Sequence, residues 1–283
     1  GSCFIPGTQV QMASGEFVSI DALKLGDVLA DGGPVDGLLE VDGSAEDLYE
    51  IGGDVMSGTH AVLDDPQGLW KRAHEVSTGV FLRGRREPVL WNAITRTHKM
   101  RVRGKSDGAL LVADYMELDE TDEMLDALTA ALNGHKGSNA ALLDAASRLN
   151  LDGSLAAYSA GAWTPRALKS CFPAGTPVLM GKRAPAATKA IEDIELGDVL
   201  LGGGRVLAKM RLAGDSEDLY RLGGATVSAS HSVKLAGVWR HVEDVPEAHL
   251  MPNAREQTLH NLITEKHLIY VGNATRGSRE RCS

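Results

Sequence analysis

Two cysteines open two similar stretches of this chain. Cys3 follows Ser2 and precedes Phe4, and Cys171 follows Ser170 and precedes Phe172. Each is trailed by a Ser-x-x-His, Ser57 to His60 and Ser228 to His231, and then by a later histidine, His98 or His267. A thiol paired with an imidazole is the raw material of a nucleophile. Unaided, a thiol with a pKa near 8.5 is only a few per cent thiolate at neutral pH, so a base must take its proton. An isolated cysteine is more often a small inert hydrophobe. Two cysteines at equivalent starts with the same companions read as nucleophiles, whereas Cys282 stands in the tail with no such companion.

The elements that position these residues repeat as well. Leu25-Gly26-Asp27-Val28-Leu29 recurs unchanged as Leu196-Gly197-Asp198-Val199-Leu200. The ten residues from Ser44 to Gly53 return from Asp215 to Gly224 with six identities, where chance gives fewer than one. Leu90-Trp91-Asn92-Ala93-Ile94-Thr95 to His98 matches Leu259-His260-Asn261-Leu262-Ile263-Thr264 to His267. The blocks keep their order at offsets of 168, 171 and 169 residues, which is a tandem duplication.

Within each copy, short runs of Val, Ile and Leu are punctuated by Gly, Asp and Pro, which predicts a small mainly β unit built of hairpins. Strands are expected at Gln9–Met12, Asp27–Ala30, Leu48–Ile51, Ala61–Leu63, Val89–Thr95 and Lys99–Val102. Between the copies the texture turns helical. Met124, Leu125, Leu128 and Leu132 lie at helical spacing behind an acidic start, and Asn139 can cap a second helix to about Leu149. The expected plan is β unit 1–116, acidic helical connector 117–169 and β unit 170–283.

Composition removes several function classes. A net charge of −9 over 283 residues argues against non-specific nucleic-acid binding, which needs a basic face. The acidity is uneven: residues 1–113 carry −5, residues 114–169 carry −5, and residues 170–283 carry +1. No apolar run approaches the 18 residues of a membrane span. The Gly1-Ser2-Cys3-Phe4 start has no signal-peptide character, so the expectation is a soluble chain, leaning cytoplasmic. Three cysteines make no disulfide framework, and no Cys-x-x-Cys or His spacing suggests zinc. No metal or cofactor is expected. Gly202-Gly203-Gly204 lacks the Gly-Lys-Ser/Thr of a phosphate loop and reads as a turn. Trp70 and Trp239 occupy equivalent slots and read as core or lid packing.

Taken together, the cysteine-Phe starts, the Leu-Gly-Asp, the Ser-x-x-His and the late Asn-x-Ile-Thr-x-x-His resemble the Hint family. That family comprises hedgehog C-terminal domains, inteins and bacterial intein-like domains. The resemblance covers both copies, about 220 of 283 residues, and not the connector. It implies two tandem Hint-like units and an N-to-S acyl shift, in which Cys3 or Cys171 attacks the carbonyl before it and turns an amide into a thioester. Twisting an amide out of plane alone meets a barrier of about 18–20 kcal/mol, so the leaving nitrogen needs a proton and the oxyanion needs donors. The resemblance gives His60 and His231 the service of the leaving nitrogen. Ser57 and Ser228 stand where the family usually has threonine, and His98 and His267 become second-step or positioning groups. Asp114 is a further acid in copy one with no partner in copy two.

The departures from the family are equally specific. Splicing ends with His-Asn before Cys, Ser or Thr. Here His260-Asn261 runs on into Leu262, and in copy one Trp91 precedes Asn92. Full splicing is therefore not expected, and cleavage before the cysteine is the simpler outcome, with the attached upstream segment as substrate. Two alternatives stay open: a non-catalytic tandem β scaffold with decayed sites, and transpeptidation between flanking segments. Nothing in the sequence bears on oligomeric state.

Overall fold

Alternation is the signal that builds this protein. In Lys99–Arg103 and Gly204–Ala213, inward Met, Val, Leu and Ala alternate with outward Lys and Arg, the period-two pattern of a strand with one face on a core. The computed structural model describes residues 3–64, 68–103, 110–115, 171–183, 187–272 and 280–282. The two helices expected in the connector lie outside them. The described residues are mainly β, with antiparallel pairing throughout and only three-residue 3-10 turns besides. The chain divides into two compact units, Gly1–Pro165 and Arg166–Ser283.

The first unit contributes β1 (Gln9–Gln11), β2 (Phe17–Ser19), β3 (Val28–Leu29), β4 (Gly33–Asp42), β5 (Leu48–Ile51) and β6 (Asp54–Ser57). It continues with β7 (Ala61–Asp64), β8 (Leu69–Arg72), β9 (Val80–Phe81), β10 (Val89–Thr95), β11 (Lys99–Arg103) and β12 (Leu110–Ala113). One sheet has the order β2-β1-β11-β12-β7-β8, another β6-β5-β9, and β4 pairs with β10 and β3.

The second unit repeats this wiring. Its strands are β13 (Phe172–Pro173), β14 (Pro177–Leu179), β15 (Thr188–Ala190), β16 (Val199–Leu200), β17 (Gly204–Ala213), β18 (Leu219–Leu222) and β19 (Ala225–Ser228). There follow β20 (Ser232–Leu235), β21 (Val238–His241), β22 (His249–Leu250), β23 (Thr258–Thr264), β24 (Ile269–Val271) and β25 (Glu280–Cys282). The orders β15-β14-β24-β25-β20-β21 and β19-β18-β22 reproduce those of the first unit, and β17 pairs with β23 and β16. β25 thus stands where the first unit has β12.

Each unit has its own apolar centre. Phe4, Val10, Leu29, Val35, Met56, Val62 and Met100 cluster in one, and Phe172, Val178, Leu200, Val206, Val227, Val233 and Ile269 in the other. The repeated Leu-Gly-Asp is a turn with a physical reason for its residues. Gly26 and Gly197 sit at φ +87° and +86°, where a Cβ is costly. The Asp27 and Asp198 carboxylates accept from the backbone N–H of Lys24 and Glu195 at 2.9 Å, closing that turn.

One local expectation changes and another holds. Trp70 is buried, but its counterpart Trp239 is 42% exposed, with the Lys234 ammonium 5.7 Å from its ring centroid. Trp239 is therefore not core. Gly202 and Gly204 do form the expected turn, both at positive φ, with Gly202 between β16 and β17 and Gly204 opening β17.

Candidate functional site

Ser57 ends β6 and His60 precedes β7, and the His60 N–H donates to the Ser57 carbonyl at 3.1 Å. The three-residue spacing is thus a single β-turn, which holds hydroxyl and imidazole at its two ends. His231 and Ser228 make the same 3.1 Å bond. Each turn is tied down on its far side, with the Ala73 N–H donating to the His60 carbonyl at 2.7 Å and Val242 N–H to that of His231 at 2.8 Å.

The start of each unit docks onto this turn. Phe4 forms bridges to both Trp91 and Met56, and Phe172 pairs with His260. The fully buried Phe4 and Phe172 rings lie 4.3 and 4.4 Å, centroid to centroid, from the His60 and His231 rings. Burying such a ring stabilises by roughly 1.5–3 kcal/mol, which anchors the residue beside the cysteine. Cys3 and Cys171 are consequently buried thiols. The Cys3 N–H donates to Ser57 Oγ at 2.9 Å, and Ser57 N–H returns a 2.9 Å bond to the Cys3 carbonyl. Cys171 and Ser228 repeat both bonds, at 2.8 and 3.0 Å. The nitrogen of the peptide bond before each cysteine therefore rests on a serine hydroxyl.

The histidines part company at the next level. His60 Nε2 lies 2.6 Å from the Ala113 carbonyl oxygen at the end of β12. His98, buried at φ +60° in the turn after β10, has Nδ1 3.2 Å from Asp114 Oδ2. That carboxylate also accepts the Thr95 N–H at 2.8 Å. Burial chiefly drives the Asp114 pKa upward, opposed by His98 and Thr95. In the second unit His267 has the same left-handed turn, φ +51°, but is exposed. His231 is fully buried, neither ring nitrogen has a hydrogen-bond partner among the described residues, and burial pulls its pKa down to about 3. Burial, aided by the charge of Glu217, pushes the Cys171 thiol well up. At neutral pH this second site holds a neutral thiol and a neutral imidazole.

The remaining residues singled out by sequence sit within strands. Asn92 and Asn261 are buried, and each side-chain oxygen accepts the next residue's N–H at 2.8 Å. Half-buried His260 lies opposite Phe172 on β23, its pKa lowered mainly by burial. Sequence reasoning did not single out Ala113, because a backbone carbonyl leaves no trace in residue type. It also passed over Asp54, which is 2% exposed with neither carboxylate oxygen hydrogen-bonded among the described residues.

Among the described residues, no group of three or more His, Cys, Asp or Glu is placed to hold a metal ion, and no helix is long and apolar enough to cross a membrane. No family model matches the sequence, and no curated protein matches it either.

Proposed function

We propose that each unit is a Hint-like autoprocessing domain that carries out an N-to-S acyl shift at its own cysteine. The observation that supports this reading best is the serine hydroxyl held against the cysteine's amide nitrogen in both units. In the first unit the thiol proton passes to His60. The Cys3 sulfur bonds to the carbonyl carbon of Ser2, and the bond from that carbon to the Cys3 nitrogen breaks. The proton is delivered to that nitrogen, which leaves as an amine. Ser57 Oγ accepts from the nitrogen while it is an amide, and its hydroxyl rotates to donate once the nitrogen gains a lone pair. Water or another nucleophile then takes the thioester, releasing whatever is attached upstream. The reaction needs no cofactor and turns over once.

The test uses the full chain with a folded reporter domain joined before Gly1. Hydroxylamine at neutral pH should release the reporter as a hydroxamate of defined mass, and Cys3→Ala should abolish that release. An intact reporter fusion, unchanged by hydroxylamine and indistinguishable from Cys3→Ala, sinks the reading for the first unit. Cys171→Ala tests the second unit in the same way, with cleavage before Cys171 as the readout.

A further inference from the structure

The last residues described in the first unit touch both of its site histidines. Ala113 offers its carbonyl to His60 Nε2 at 2.6 Å, and the next residue, Asp114, offers its carboxylate to His98 Nδ1 at 3.2 Å. This short stretch is pinned on two sides. The Asp114 N–H donates to the His98 carbonyl at 3.2 Å, and the Tyr115 N–H to the Ala93 carbonyl at 3.0 Å. A carbonyl oxygen only accepts, so the His60 proton must sit on Nε2, and the basic nitrogen of the neutral ring is Nδ1. An acceptor on one ring nitrogen also raises the basicity of the other, as it does for histidines that ligate metals.

The second unit differs at this point. β25 pairs with β24 as β12 pairs with β11: Cys282 faces Ile269 where Val112 faces Met100. By that register the counterpart of Ala113 is position 283, outside the described residues. His231 is fully buried, and among the described residues neither ring nitrogen has a hydrogen-bond partner. Among the described residues no group chooses its tautomer or accepts from it, so as an imidazolium it would be a buried charge without an acceptor there.

We infer that Ala113 is a positioning residue that makes the first unit the faster of two unequal centres. Its carbonyl fixes His60 as the Nε2–H tautomer, so that Nδ1 takes the Cys3 thiol proton and returns it to the Cys3 nitrogen, while no such support for His231 stands among the described residues. This rests on the autoprocessing reading and orders the two cleavages: the bond before Cys3 breaks first.

Two measurements on the reporter-bearing full chain test it. A hydroxylamine time course resolved by intact mass separates the fragment cut before Cys3 from the larger one cut before Cys171. Cleavage before Cys3 is expected to be at least tenfold faster. Equal rates, or a faster cut before Cys171, overturn the ordering. Nitrogen-15 spectra of histidine-labelled chain, assigned with His60→Gln and His231→Gln, report the tautomers directly. A neutral His60 protonated at Nε2 supports the positioning role, and protonation at Nδ1 refutes it. If neither bond is cut, the autoprocessing reading fails by itself, and the His60 tautomer still decides whether Ala113 positions that ring.

Discussion

Cys3 and Ser57 are joined in both directions: the cysteine N–H donates to the serine hydroxyl, and the serine N–H donates to the cysteine carbonyl, each at 2.9 Å. The second of these bonds is a backbone contact beside the isolated Phe4–Met56 bridge. The first places a rotatable hydroxyl on the nitrogen that the proposed reaction must release. Cys171 and Ser228 keep the same arrangement, although the surrounding histidine contacts differ.

Removing the Ser57 hydroxyl separates its two consequences. Ser57→Ala leaves a buried N–H without its acceptor, which costs about 1–3 kcal/mol of stability. Release of an upstream reporter should fall roughly 10–100-fold, in keeping with the usual contribution of a positioned proton-transfer group. Ser57→Thr keeps the hydroxyl and should retain most of the cleavage. Urea unfolding and the hydroxylamine time course measure the two effects on the same preparations. A Ser57→Ala chain that cleaves at the original rate would remove the hydroxyl from the reaction.

Asp54 makes the stability of the first unit depend on pH in an unusual direction. It faces Ile51 across the β5–β6 hairpin, and the equivalent position in the second unit is Ala225, a core alanine. Burial raises its pKa from 3.8 to about 7. The folded chain therefore holds this proton over a range in which the unfolded chain has lost it. The contribution is neutral below about pH 4, becomes unfavourable as pH rises, and is complete above about pH 7, amounting to about 4 kcal/mol. Asp54→Ala should accordingly raise Tm at pH 8 and change it much less at pH 4. A Tm gain that is the same at both pH values would mean that the carboxyl titrates normally. β6 also carries Ser57, three residues on, so the same titration should soften the site from its own strand.

The close approach after β16 is a third place where one atom decides. A Cβ on Gly203 would lie 2.2 Å from the Leu268 carbonyl oxygen. Gly32 in the first unit meets the Lys99 carbonyl at 2.5 Å in the same way. Backbone cannot yield as a flexible side chain does, so Gly203→Ala should destabilise the second unit by about 1–3 kcal/mol. Gly175→Ala, with open space around its Cβ but φ +81°, should be milder, at about 1 kcal/mol. Thermal unfolding of both variants compares the two costs, and equal losses would show that the Leu268 carbonyl yields to the added methyl.

The residues themselves explain which parts of this were legible in sequence. Leu48–Ile51 and Val89–Thr95 form strands with the expected limits, because apolar runs bounded by turn residues identify themselves. Gly33–Asp42 is not among the expected strands, and its Gly33, Pro34, Asp36 and Gly37 are residues with little strand preference. Val35 to Asp42 are held extended by β10 and Gly33 and Pro34 by β3, a tertiary effect that overrides local preference. The Cys, Ser and His of the site were visible as types and spacings. Their hydrogen bonds were not, because Ser57 meets a backbone nitrogen and His60 a backbone carbonyl, neither of which is written in residue identity. The exposure of Trp239 and His267 was equally hidden, since their equivalents Trp70 and His98 are buried and the repeats suggested equal surroundings.

The Asp114–His98 pair supplies the sharpest test of inequality between the units. Asp114 is fully buried, and its carboxylate serves both His98 Nδ1 and the Thr95 N–H. Asp114→Ala strands both donors inside the protein, a loss of about 3–5 kcal/mol when one member of a buried pair is removed. Asp114→Asn retains an oxygen for the Thr95 N–H and should cost less. The damage should stay local. Hydrogen exchange followed by mass spectrometry should show lost protection across β10 and β11, which flank the His98 turn, and unchanged protection across β23 and β24, which flank exposed His267. Equal loss in both pairs of strands would mean that Asp114 supports the whole chain rather than one site. If instead β10 and β11 keep their protection in Asp114→Ala while reporter release falls, the carboxylate acts on the chemistry through His98 rather than on the fold.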